Sequence, residues 1–381
     1  MPHDDKSREA RVGQGGRLVR TVKRAAAVAL AVVALAAAAV LAPGGPAARA
    51  SSALTPAITV ADGNSVIAVQ TSGDGLRFYW NEHGTDTWHG EQVAANGTTF
   101  SSPSIAQVGN YVVIAAQGAD NSLDLYWQPN GGSGWHMQTV AGSQTSYSGP
   151  SIMQDGAGVV IAEQGADNSL DFFWAASVGS RWHPETVAGP RTTFSSPALT
   201  VNGASVNIAA EGPGGSLDFY WAANGTPTWT REIVAGPGAI ASAPAITAND
   251  GSVNVAAILA AGGLGFYWAV NGTAAWHLET LPGLFGIAPG ITTDTGGVHV
   301  VSAGFGILED EATSNGTGTW HATYVAGGLF DEVVGPGSPA VTMNDGIENI
   351  ATIGTDGNLY FWWYRGDGSF AMEVVDTSAN L

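Results

Sequence analysis

Two short phrases concentrate the residues of this chain that could do chemistry. One is Asp-Asn-Ser, at Asp120-Asn121-Ser122 and Asp167-Asn168-Ser169; the other is Trp-His, at Trp135-His136 and Trp182-His183. An indole offers a flat apolar face, and a carboxylate, an amide and a hydroxyl offer oriented hydrogen-bond partners. Together they suit a small ligand with one apolar face and several polar groups. The same residues also have structural uses. Asp-Asn accepts the positive φ of a tight turn, and an iterated tryptophan fills space between packed units. The sequence leaves both uses open.

Histidine follows the tryptophan at His89, His136, His183, His277 and His321, while Thr230 and Ala371 stand there in two further copies. Such a set suggests a metal only if the side chains can converge, and equivalent positions of a ring-shaped repeat cannot. No metal or cofactor is therefore expected from this set. A third cluster, Gly306-Ile307-Leu308-Glu309-Asp310-Glu311, stands where the other copies carry an aromatic strand, with Asp331-Glu332 beyond it. Paired acids there could act as general acid and base or hold a cation, or could be a solvated edge. No nucleophile motif or glycine-rich phosphate loop is present.

The elements that must position these groups follow from internal repetition. Prolines recur at Pro56, Pro103, Pro150, Pro197, Pro244, Pro289 and Pro339, most of them 47 residues apart. A second ruler is Trp80, Trp127, Trp174, Trp221, Trp268 and Trp363, with Ala312 in the sixth unit. A third is Trp88, Trp135, Trp182, Trp229, Trp276 and Trp320, with Phe370 in the seventh. In the third unit, SLDFFWA over 169–175 alternates Leu170, Phe172 and Trp174 with Asp171 and Phe173, the two-residue period of a strand. Asp167-Asn168 precedes it, and Asn224-Gly225 and Asn271-Gly272 follow the corresponding strands of later units, as tight-turn residues do. Four short antiparallel strands per unit, seven times over, predict an all-β, seven-bladed β-propeller over residues 51–381 rather than a solenoid or a sandwich.

Residues 1–50 read differently. Arg17, Arg20, Lys23 and Arg24 lead into the apolar run 25–42, and Ala48-Arg49-Ala50 has the small-x-small form of a cleavage site. This predicts an N-terminal signal peptide and a secreted, extracellular product without membrane insertion after cleavage. Eight of the 13 basic and three of the 32 acidic residues lie in this segment, leaving five arginines against 29 acids, a net charge of −24. Five dispersed arginines cannot build a phosphate-binding patch, which excludes a nucleic-acid partner. With no cysteine, stability must come from burial and hydrogen bonding.

The phrase G-x-D-N-S-L-x-[FY]-[YF]-W, a turn, then W-H-x-E-x-V-A-G, is best kept at Gly118–Trp127 with Trp135-His136 and at Gly165–Trp174 with Trp182-His183. Iterated seven times, it resembles the PLL-like seven-bladed β-propeller lectins of bacteria, which bind fucose and O-methylated sugars. The resemblance implies a non-catalytic, multivalent carbohydrate-binding protein with glycan or glycoconjugate partners, its pockets lying between neighbouring blades. Trp135 or Trp182 would then be the plate for the sugar's apolar face. Asp120, Asn121 and Ser122, or Asp167, Asn168 and Ser169, would be the polar partners, with His136 and His183 beside them. The first, fourth and fifth units lack the Asn-Ser pair, so fewer than seven working sites are expected. Two other readings stay open: a propeller glycosidase or lyase using the sixth-unit acids, and a protein-interaction platform, in either case as a monomer or an oligomer.

Overall fold

A computed structural model of the chain describes residues 54–377 apart from 83–86, 204, 250, 283–285, 305, 315–317 and 328–333. The expected signal peptide with its expected cleavage site and the pair Asp331-Glu332 lie outside the described residues.

Those residues form a seven-bladed β-propeller of four-stranded antiparallel sheets, with the blades spanning 57–94, 104–141, 151–188, 198–235, 245–281, 290–327 and 340–376. In every sheet spatial order follows chain order, so each blade is a simple meander. Blade 3 is representative, with strands Ser151–Asp155, Gly158–Gln164, Leu170–Ala175 and Trp182–Ala188. First strands of neighbouring blades stand beside one another around the ring, and the first strand of blade 7 meets that of blade 1.

Alternation along each strand sends one set of side chains to each neighbouring blade. In blade 3, Leu170 and Phe172 pack toward blade 4, whereas Phe173 packs toward blade 2. Seven hydrophobic clusters result, one at each joint between blades. The third strand of every blade carries, as its first or second residue, a leucine with no solvent exposure: Leu76, Leu123, Leu170, Leu217, Leu264, Leu308 and Leu359. Each such burial contributes about 1.5–3 kcal/mol. In six blades the strand register slips directly after this leucine, a bulge that re-aims the following residue.

Among the described residues no strand is exchanged to close the ring, and side chains hold blade 7 to blade 1. Trp88 Nε1 donates to Glu373 Oε2 at 2.8 Å, its ring meets Phe361 edge-on, and Arg77 pairs with Asp376 at 3.0 Å. Asn344 Nδ2 donates to Ser65 Oγ at 3.2 Å near the axis.

Candidate functional site

The two faces of the propeller do different work. One carries the turns between second and third strands together with the linkers that lead from blade to blade. The other carries the hairpin turns that join first to second and third to fourth strands. Asp-Asn-Ser lies on the linker face and Trp-His begins on the hairpin face, because Leu123 and Trp127, the partners of Ala141 and His136, stand at opposite ends of one strand. The structure therefore does not bring Asp120, Asn121 and Ser122 together with Trp135 and His136, and blade 3 separates Asp167, Asn168 and Ser169 from Trp182 and His183 in the same way.

On the linker face the polar groups are engaged within the protein. Asp120 and Asn121 both adopt φ 59°, and Asp167 and Asn168 adopt 59° and 61°, left-handed values that these short polar side chains tolerate. The turn's carbonyls accept from the linker amides: Gln144 to Asp120, and Thr145 and Ser146 to Asn121. The buried Gln117 Nε2 donates to Asn121 Oδ1 at 2.9 Å and to Ser146 O at 2.6 Å; Gln164 repeats this with Asn168 and Thr193 at 2.8 Å each. Ser122 and Ser169 donate to a turn carbonyl or to Asp124 and Asp171. At Gly165 a Cβ would collide with the Asp171 carboxylate, which accounts for the glycine before Ala-Asp-Asn. Each turn thus staples its blade to the chain running to the next, while the Asp120 and Asp167 side chains face solvent.

On the hairpin face the tryptophan that ends the third-to-fourth turn wedges into the preceding blade. Trp135 meets Phe78 edge-on at 5.2 Å, and Trp229, Trp276 and Trp320 meet Phe172, Phe219 and Phe266 at 4.7–5.0 Å. Trp182 is only 8% exposed. The wedge ring donates its N–H backwards to the residue three positions after the previous blade's own wedge. Trp135 reaches Glu91 (2.8 Å), Trp229 Glu185 (3.1 Å), Trp276 Glu232 (2.9 Å) and Trp320 Glu279 (2.7 Å), while Trp182 reaches Gln138 (3.3 Å).

The other carboxylate oxygen takes a second indole, from the third strand of its own blade. Trp174 donates to Glu185 at 2.9 Å, Trp221 to Glu232 at 3.1 Å and Trp268 to Glu279 at 2.9 Å. Glu185, Glu232 and Glu279 therefore each clasp two indoles across a joint. These third-strand rings are the ones presented to solvent, with Trp174 and Trp221 more than a third exposed. Where a histidine pairs across the strand it stacks on the ring: His183 on Trp174 at 4.1 Å, His277 on Trp268 at 4.3 Å and His136 on Trp127 at 5.5 Å. Four of the five recurring histidines, His89, His136, His183 and His277, are thus indole covers, whereas His321 stands opposite Ala312.

Among the described residues a cleft opens beside this arrangement at the joints between blades 1 and 2, 3 and 4, and 4 and 5. Between blades 3 and 4 it is lined by Trp174, Glu185 and Trp229, and Asn224 Nδ2 spans its rim to Asp155 Oδ1 at 2.7 Å. Its volume, about 480 Å³, falls in the range of small-molecule sites. Trp221, Glu232 and Trp276 with Asn202, Asn207 and Asn271 line a smaller counterpart of about 170 Å³ between blades 4 and 5. Trp80 and Glu91 with Asn64, Gln128 and Asn130 line one of about 140 Å³ between blades 1 and 2. At the joint of blades 2 and 3, Gly179 lies against the Trp127 ring. Sequence reasoning placed the plate on the Trp135 and Trp182 ruler. The two most exposed rings, Trp174 and Trp221, belong to the other ruler, and the asparagines of the hairpin turns looked like turn chemistry alone.

The joint between blades 6 and 7 departs from this plan. All three clasp positions change together: Ala312 replaces the exposed tryptophan, Thr323 the glutamate and Phe370 the wedge. His299 pairs with Ala312 as Asn207 pairs with Trp221, and Asp310 stands where the other blades have Phe219 and its equivalents. The His299 ring nitrogen Nδ1 lies 3.5 Å from Asp310 Oδ2 and 3.4 Å from Glu348 Oε2 of blade 7, and Nε2 lies 3.7 Å from Asp294 Oδ2. The neighbouring acids do not join them. Strand alternation turns Glu309 and Glu311 toward blade 5, where burial, aided by the charges of Glu309 and Asp310, pushes the Glu311 carboxyl up to about 8. The three consecutive acids therefore do not converge on one substrate.

No family model matches this chain, and no curated protein matches it. Its architecture does match solved structures. The fold is that of known propeller lectins. The BP39L lectin of Burkholderia pseudomallei superposes with a TM-score of 0.74 at 16% identity, over 86% of this chain and 99% of that one. The six-bladed lectin of Aleuria aurantia gives 0.53 at 13% identity over 86% and 96%, and AofleA of Arthrobotrys oligospora gives 0.52 at 14% over 73% and 87%. At these identities the likeness establishes the fold.

Proposed function

We propose that this protein is a non-catalytic carbohydrate-binding lectin that takes a fucose-like or O-methylated sugar in the hairpin-face clefts between blades 1 and 2, 3 and 4, and 4 and 5. The carrying observation is the recurrence at these joints of an indole beside a glutamate held by N–H donors, with amide side chains around the rim. A sugar's C–H face stacks on an indole, an O-methyl group or the C6 methyl of fucose adds apolar area, and hydroxyls pair with rim amides and carboxylate lone pairs. The Aleuria aurantia lectin, of the same general architecture, is described by its fucose recognition and has been solved with α-methyl-L-fucoside. Separate clefts on one rigid ring would let weak single-site binding add up on a glycan-coated surface, consistent with an exported protein.

The test is calorimetric titration of methyl α-L-fucoside and of 2-O-methylated sugars into the protein and into Trp174→Ala and Trp221→Ala. Each substitution should remove one site from the stoichiometry. Absence of binding to any sugar on a glycan array would refute the proposal.

A further inference from the structure

We infer that His299, Asp310 and Glu348 form a divalent transition-metal site that pins blade 6 to blade 7. This joint lacks the polar clasp of the others, because Thr323 and Phe370 supply neither the carboxylate nor the indole N–H found elsewhere. Two of the three side chains come from blade 6 and the third from blade 7, so an ion held among them would bridge the joint.

The spacing fits an ion better than direct hydrogen bonds. A histidinium bonded to a carboxylate would close to about 2.7–2.9 Å. The observed separations from His299 Nδ1 are 3.5 and 3.4 Å, and the donor atoms of all three residues lie within 4.8 Å of one another. Metal–ligand bonds of about 2.0–2.2 Å at tetrahedral angles place neighbouring donors about 3.3–3.6 Å apart.

A second observation concerns unmet bonding capacity. Asp310 Oδ1 and Glu348 Oε1 are buried without a hydrogen-bond partner, and the two side chains are only 6% and 3% exposed. Orphaned acceptors at such depth are costly unless a cation meets them. Asp294 adds an outer support. Its Oδ2 faces Nε2 on the far side of the imidazole, while its Oδ1 is anchored by the backbone amides of Gly296 and Gly297. A carboxylate behind a ligating histidine fixes the ring's tautomer and orientation. One imidazole with two carboxylates suits zinc or manganese better than a hard all-oxygen cation.

The test is calorimetric titration of zinc chloride into chelator-treated, dialysed full-length protein, read with thermal unfolding. Expected are one zinc per chain at micromolar affinity or better and a rise in Tm of about 3–6 °C at a hundredfold excess over Kd. In Glu348→Gln and His299→Ala both signals should disappear. Should His299→Ala fail to fold, the near-isosteric Glu348→Gln decides alone. Absence of saturable binding below about 100 µM, or unchanged stoichiometry and Tm response in Glu348→Gln, would overturn the site and leave the three residues as a histidine–carboxylate ion pair.

Discussion

Replacing Trp174 and Trp182 separately by alanine tests whether the two tryptophan rulers divide fold from binding. Trp182 is 8% exposed in the joint between blades 2 and 3 and donates to Gln138. Truncating so buried an indole costs about 3–5 kcal/mol. With an unfolding entropy near 2.1 cal/mol/K per residue, a propeller of this length loses about 1.5 °C per kcal/mol, so Tm should fall by about 4–8 °C. Trp174 is 37% exposed and makes its hydrogen bond at the cleft, so its loss should cost only about 1–2 kcal/mol, or 1–3 °C. Calorimetry of both melting and sugar titration should therefore give opposite orders: Trp182→Ala the larger drop in Tm with sugar stoichiometry intact, Trp174→Ala the smaller drop with one site lost. If Trp182→Ala removed a sugar site while melting like the parent, the division of roles argued from these joints would fail.

Three further outcomes follow from the same geometry. Glu163 is fully buried, and burial pushes its carboxyl up to about 8 against the opposing pull of the Ser146 hydroxyl. The folded state then holds a proton that the unfolded chain releases near 4.5, so this group makes stability fall as pH rises from about 4.5 to 8, by at most about 4–5 kcal/mol. Glu163→Gln should flatten that part of the Tm–pH profile, and an unchanged slope would count against it. Asn168→Ala leaves Gln164 with one acceptor fewer and puts alanine at φ 61°; it should cost about 1–2 kcal/mol in denaturant melts without altering sugar stoichiometry. Glu232→Gln offers one acceptor to two indoles and should cost about 1–2 kcal/mol and weaken sugar binding between blades 4 and 5, whereas equal affinity would remove the clasp from the site.

The sequence by itself determined the repeat count, the strand-by-strand alternation and therefore the propeller, because a two-residue period and turn residues at fixed intervals are local properties. It also marked the sixth unit as the irregular one, since losing Trp at Ala312 is visible without coordinates. Only the tertiary structure decided which tryptophan faces solvent. Trp174 and Trp182 are equally regular in the sequence, and what separates them is the neighbouring blade that covers one ring and leaves the other at a cleft. The Asp-Asn-Ser and Trp-His phrases lie close along the chain, but a strand between them carries them to opposite faces, a distance set by the rise of the strand. Convergence between units was equally hidden. His299 and Glu348 belong to different repeats and meet only because the ring stacks blade 7 on blade 6.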